Sequence, residues 1–302
     1  MRVLVLYSRG PAQVGPGRLA HEFDLVPAAT GIADVLANAT AVGVSGDPAE
    51  IIEQLRLHRP AVVFNLLEAP LGRSELEAHG AALLEWTGTR FTGSGSETLA
   101  LCRRKDRVNA VLAAAGIPTP RPDRFPCIVK PADQDGSVGI DAASICDDAA
   151  QLDAARRRLD GPAVVEEFLP GREFVVSLWG GCGPEFASIG ETVFRNGLCL
   201  LSYAAKWDPE SADYANSPLL YDPPMEAPLR DAVLEAARGA WHAVGARGYL
   251  RVDLRLDREG CPRVLDVNPN ADISGVDVGI GRAVTEAGWR WEDFLRKQVE
   301  WA

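Results

Sequence analysis

Two neighbouring stretches near the carboxy-terminal end, "LRVDLRLD" from Leu250 to Asp257 and "RVLDVNPN" from Arg263 to Asn270, carry the residue types best suited to chemistry. Strand alternation in the first puts Leu250, Val252, Leu254 and Leu256 on one face and Arg251, Asp253, Arg255 and Asp257 on the other. A turn centred on Glu259 and Gly260 closes the two into a hairpin, and a register symmetrical about that turn sets Asp253 across from Asp266. Directly opposed residues have Cβ atoms about 4.5–5.5 Å apart, so like charges there need a cation between them. Asn268 lies two positions beyond Asp266 on the same face. Asp, Asp and Asn oxygens form a hard donor set suited to magnesium, which takes its remaining ligands from water and phosphate. A solvated polar face neutralised by Arg251 and Arg255 accounts for the same residues.

Two further stretches have the makings of a phosphate or nucleotide site. "IVKPADQDGSVGI" places Lys130 at the end of an apolar strand and follows it with Gly136, Ser137 and Gly139. Glycines permit close backbone approach, so successive N–H groups can wrap an anion; a hairpin turn has the same composition. "VVEEFLPGREF" gathers Glu166, Glu167 and Glu173 around a strand end that closes with Pro170 and Gly171. Such a strand can offer backbone hydrogen bonds from Glu167 and Leu169 to a base, with Glu173 in reach of sugar hydroxyls, or it is an acidic surface turn.

These residues need a scaffold, and 302 residues suffice for two or three packed units. The first third alternates strands and helices, which predicts a small parallel α/β sheet. "FTGSGSETLALCRRKDRVNAVLAAAGIP" reads as one helix, capped by Ser96 and ended by Gly116 and Pro118. "KWDPESADYANSPLLYDPP" reads as irregular, and "AVTEAGWRWEDFLRKQVEWA" as a single closing helix. The divisions expected are an amino-terminal α/β unit over 1–96, a central unit over 97–170 and a carboxy-terminal unit over 171–302.

Composition excludes several classes of function. Hydrophobic content of 47% and charged content of 24% describe a globular protein, neither disordered nor membrane-spanning. The apolar run after Arg2 is too short for a signal-peptide core, so a cytoplasmic protein is expected. A net charge of -11 repels phosphate backbones, which argues against nucleic acid as a partner. The six cysteines include no CxxC pair and are expected as free thiols, and the four histidines show no zinc spacing.

Taken in order, Lys105, "IVKPADQDGSVGI", "VEEFLPGREF", Lys206 in "YAAKW", "LRVDLRLD" and "LDVNPN" resemble the ATP-grasp superfamily, specifically its D-alanine–D-alanine ligase branch. The resemblance implies an amino-terminal parallel-sheet domain followed by two α+β lobes enclosing ATP. It implies ATP and two magnesium ions, with manganese as a substitute, and an ATP-dependent ligase that activates a carboxylate as an acyl phosphate for attack by an amine. By similarity, Lys105, Lys130 and Lys206 contact phosphates, and Gly136, Ser137 and Gly139 belong to a lid. Glu166, Glu167, Leu169 and Leu265 then surround the base, Glu173 the ribose, Asp253, Asp266 and Asn268 the metal, and Arg251 stabilises oxyanionic charge.

Departures from the branch fall on the substrate side. Trp207 stands where a tyrosine is usual, "PNADIS" replaces a Pro-Gly turn after Asn268, and "NLLEAPLGRSELEAHG" lacks the usual His-Gly turn. Glu68, Arg73, Trp207 and Asp272 are therefore the candidate substrate residues, with Asp277 beside them. The altered acceptor wall favours a single-substrate reaction, the cyclisation of O-ureido-D-serine to D-cycloserine, over D-amino acid dipeptide formation. A nucleotide-binding scaffold without turnover is the reading from another class. The expected partners are a small amino acid-like substrate and, from the family habit, a second or further copy of the chain.

Overall fold

The apolar run Val3–Ser8 leaves no polar side chain before its end, so a strand made from it must be covered on both faces. That is its position in the computed structural model, which describes residues 1–10, 25–122, 124–134, 136–137 and 139–302. The amino-terminal part runs β1 (Val3–Ser8), α1 (Val26–Val35), β2 (Ala39–Val44), α2 (Pro48–His58) and β3 (Val62–Leu66). The strands form a parallel sheet in the order β2-β1-β3. Asp47 starts α2 by accepting the Ala49 N–H at 2.8 Å.

Then come α3 (Glu77–Trp86), α4 (Ser96–Cys102) and α5 (Lys105–Ala114). The single helix expected across α4 and α5 is thus two. Arg104 adopts an extended conformation between them, and the Lys105 N–H donates to the Ala132 carbonyl at 2.9 Å. This long-range contact outweighs local helix preference and seats Lys105 in the interior, 5% exposed. Ser96 is not a cap either. It lies inside α4, and its N–H and hydroxyl donate to the Glu85 carboxylate of α3 at 2.9 and 2.5 Å, so an acid from the neighbouring helix caps α4.

A second sheet, antiparallel in the order β5-β4-β6, comprises β4 (Cys127–Pro131), β5 (Ile145–Cys146) and β6 (Ala163–Glu167), with α6 (Ala149–Arg157) packed on it. The third is built from β7 (Glu173–Gly180), β8 (Phe186–Thr192), β9 (Leu219–Tyr221), β10 (Gly248–Leu256) and β11 (Pro262–Asn268), in the antiparallel order β11-β10-β7-β8-β9. Between β8 and β9 lie α7 (Tyr203–Trp207) and α8 (Ala212–Ala215), so the stretch expected to be irregular has short elements. Helix α9 (Ala227–Val244) covers one face of the large sheet, burying Val233, Ala237 and Trp241 against Val252, Leu254 and Val264.

The closing segment is α10 (Gly279–Glu286) and α11 (Trp291–Trp301), not one helix. Gly288 at φ +81 turns the chain between them, and Trp289 packs edge-on against Trp179 and Phe186. These helices share a core with β1, β3 and α1, which ties the two ends of the chain together. Among the described residues no helix is long and apolar enough to cross a membrane. The six cysteines are thiols: Cys102, Cys127 and Cys146 are buried, and Cys182, Cys199 and Cys261 exposed.

Candidate active site

The pairing of β10 with β11 places the central acids. Asp253 sits opposite Asp266 and Arg251 opposite Asn268, as the symmetrical hairpin predicts. The next pair is Leu254 with Val264, so Leu265 is the extra residue of a β-bulge. The bulge lets Val264 and Val267, an odd number of residues apart, both enter the core, while Leu265, Asp266 and Asn268 stay half-buried on the open side.

Separate cations answer the opposed acids. The Arg251 guanidinium grips Asp253 with both arms, Nε to Oδ1 at 2.8 Å and Nη2 to Oδ2 at 3.0 Å. Lys105 Nζ lies 3.4 Å from Asp266 Oδ1. Burial raises the Asp266 pKa, but Lys105, Lys130, Arg251 and Lys206 outweigh it and hold the carboxyl below its ordinary value. Asp253 in turn raises the Arg251 pKa. Lys206, on α7, is pulled down by burial and by Arg251, with Asp253, Asp266 and Glu173 opposing. The expectation that Arg255 shares in neutralising the aspartates is corrected: it turns to Glu173 at 3.3 Å, while Asp257 takes Arg263 at 2.7 Å.

The second sheet brings up a matched pair. Lys130 Nζ lies 2.6 Å from Glu166 Oε2, and Asn109 of α5 donates to Glu166 Oε1 at 2.7 Å. At the end of β6 the Glu167 and Phe168 N–H groups donate to Arg121 O and Pro126 O, both at 2.8 Å, and Leu169 is buried. Glu173 begins β7, where burial raises its pKa and Arg255 opposes the rise. In the loop after β4, Gly136, Ser137 and Gly139 all have positive φ, and Trp207 Nε1 donates to Gly136 O at 3.1 Å. A Cβ at Gly136 would stand 3.3 Å from that indole nitrogen, so the contact favours glycine. Asp135 and Val138 of the loop lie outside the described residues.

Beyond Asn268 the composition of charge changes. Burial, then Glu77 and Asp272, push the Glu68 carboxyl up to about 8. Asn270 donates its amide to Glu77 and accepts the Tyr249 hydroxyl at 2.8 Å. Burial and then Glu68, Glu77 and Asp272 raise the Tyr249 pKa as well. Of the candidate substrate residues, Glu68 and Asp272 are therefore together, Trp207 of α7 bonds to the glycine loop, and Arg73 is exposed and paired with Glu75 at 2.7 Å.

The donor set fits magnesium by its chemistry: Asp253, Asp266 and Asn268 offer oxygen only. Magnesium takes oxygen ligands and draws the remainder of its shell from water and phosphate.

Residues 120–300 match the family described as D-ala D-ala ligase C-terminus. The D-alanine–D-alanine ligase of Stutzerimonas stutzeri is 31% identical over 262 residues, covering 78% of this chain and 77% of that protein. The chain belongs to the D-alanine–D-alanine ligase family. That of Gloeobacter violaceus is 27% identical over 270 residues, covering 80% of this chain and 85% of its own length. The fold is shared with the Bacillus anthracis D-alanine–D-alanine ligase complexed with ATP, at a TM-score of 0.72 and 19% identity over 99% of this chain and 96% of that one.

This D-alanine–D-alanine ligase relative is an ATP-grasp enzyme, an ATP-dependent carbon–nitrogen ligase with ATP and magnesium as cofactors. The reading as a scaffold without turnover is thereby displaced. Sequence reasoning passed over Asn109 and Glu77 as partners in the site, and gave Arg255 the wrong acids. Asn109 had a signal, since it stands one helical turn after Lys105 on the same face. Glu77 had none, because its contact with Asn270 joins segments distant along the chain.

Proposed function

We propose that the enzyme joins two small D-amino acids, with D-alanine the first to test, through an acyl phosphate. The observation that carries this reading is the β10–β11 hairpin, which sets Asp253 against Asp266 with Asn268 beyond, inside the matched family region. Asp253, Asp266 and Asn268 would hold magnesium, which supplies charge neutralisation on the triphosphate. Lys105, Lys130 and Lys206 flank the phosphates, while Glu166, Glu167, Leu169 and Leu265 surround the base. Glu173 meets the ribose.

A substrate carboxylate oxygen attacks the γ-phosphorus, the bond to the β-phosphate oxygen breaks, and ADP leaves. The amine of the second substrate then attacks the acyl carbon, the carbonyl oxygen gains negative charge, and inorganic phosphate departs as the amide forms. Arg251 is the donor for that charge, since its fork is already aligned by Asp253. Closure of the Gly136–Ser137 loop, held by Trp207, keeps water from the acyl phosphate. Glu68 and Asp272 receive a substrate ammonium group, which would lower the cost of placing their charges together.

Cyclisation of O-ureido-D-serine, expected from the altered acceptor wall, draws no support from the relatives, whose names are those of dipeptide ligases. The test is ADP release from Mg-ATP with D-alanine alone, with pairs of D-amino acids and with O-ureido-D-serine alone, with products read by mass spectrometry. A dipeptide is the expected product. Turnover confined to O-ureido-D-serine would overturn the dipeptide reading in favour of the cyclase. ADP release in none of these arms, with Mg-ATP binding intact, would overturn both.

A further inference from the structure

Arg255 stands on the working face of β10 yet serves neither aspartate. It is 6% exposed and lies directly across from Glu173 in the β10–β7 register. One arm of the guanidinium reaches Glu173 Oε2 at 3.3 Å, and Nε donates to the Gly171 carbonyl at 3.1 Å. Its central carbon lies 5.1 Å from the ring centroids of both Phe168 and Phe194. One planar cation thus links the turn after β6, the acid that opens β7 and two aromatic side chains. A buried arginine so enclosed has little rotational freedom, and each of its donors enforces one geometry.

We propose that Arg255 is a positioning residue for the nucleotide sugar: it holds the Glu173 carboxylate at the place where the ribose hydroxyls arrive, and fixes the Leu169–Gly171 turn relative to it. The inference rests on the reading that Glu173 meets the ribose. Its physical content is that a buried carboxylate keeps one orientation only if a fixed donor shares it. The guanidinium leaves the other Glu173 oxygen to accept from a sugar hydroxyl. Lysine at this position retains the charge without the fork, and methionine retains bulk alone.

The experiment is calorimetric binding of Mg-ATP, Mg-2′-deoxy-ATP and Mg-3′-deoxy-ATP to the full chain, for wild type, Glu173→Gln, Arg255→Met, Arg255→Lys and the double variant Glu173→Gln/Arg255→Met. Wild type is expected to favour ATP over at least one deoxy analogue by about tenfold or more, the worth of a hydrogen bond to a charged group. Arg255→Met and Glu173→Gln should each bring that ratio close to unity, with Arg255→Lys between. In the Glu173→Gln background, Arg255→Met should change the ratio no further. If Glu173→Gln loses sugar selectivity and Arg255→Met keeps it, Arg255 is not the positioning residue while the ribose reading stands. If wild type binds ATP without sugar preference, or Glu173→Gln keeps the preference, the ribose reading itself falls and this inference with it. Should Arg255→Met fail to fold, the lysine variant decides: a wild-type sugar ratio there overturns the proposal.

Discussion

The two ends of the β10–β11 hairpin face handle charge in opposite ways. At the nucleotide end each buried acid has a cation: Asp253 with Arg251, Asp266 with Lys105, Glu166 with Lys130 and Glu173 with Arg255. At the other end, beyond Asn268, burial and then Glu77 and Asp272 hold the Glu68 carboxyl up to about 8. The contrast teaches that the first group of acids is fixed by internal ion pairs, whereas Glu68 is governed first by burial and then by neighbouring acids.

Breaking a pair at the nucleotide end should have the largest effect. Lys130→Met strands Glu166 in the interior, and a cost of about 3–5 kcal/mol in urea unfolding is expected. Adding Glu166→Gln should restore most of it; a Lys130→Met protein as stable as wild type would show that the pairing is not structural. Next is Arg251→Ala, for which ADP release with saturating substrates should fall about 100- to 1000-fold. Magnesium-ATP binding should survive in that variant, and loss of binding together with turnover would place Arg251 with the nucleotide instead.

The substrate end supplies a prediction of opposite sign with pH. Because Glu68 titrates at about 8 in the folded chain against 4.5 otherwise, the folded state binds the extra proton between those values. Stability from this group is therefore complete below pH 4.5 and is lost as pH rises through 8, by about 2 kcal/mol for a half-buried side chain. Glu68→Gln should flatten the profile of denaturation midpoint between pH 5 and 9, measured in urea. An unchanged slope would show that Glu68 is not the group that sets this pH dependence. The smallest effect expected is for Asn109→Ala, about 1–1.5 kcal/mol from one hydrogen bond to a carboxylate already held by Lys130, read from the same unfolding curves.

Much of this arrangement was legible beforehand. Alternation in "LRVDLRLD" located the packed and open faces of β10, and hairpin symmetry paired Asp253 with Asp266. Both are local properties, set by a period of two and the position of a turn. The same local reasoning failed where distant contacts intervene. Nothing within "LALCRRKDRV" announces that Ala132 will take the Lys105 N–H and break the helix, and nothing near Ser96 points to Glu85. Arg251 and Arg255 look alike in the strand, yet one grips Asp253 and the other lies between Gly171, Glu173 and two phenylalanines contributed by other segments.

By itself, then, the sequence determined the alternating elements, the facing of their side chains, the opposed aspartates with Asn268 and the ordered motifs of an ATP-grasp enzyme. The elements, their facing and the opposed aspartates follow from periodicity and turn position, which act within a few residues along the chain, while the motif order carries a family resemblance. Which cation answers which acid, where the helices break and how Glu77 joins Glu68 and Asp272 were decided by the tertiary structure alone. The reason is range: a charge pair or a docked helix end depends on how close two distant segments approach, and side chains of the same type are distinguished only by what that approach leaves within a few ångströms.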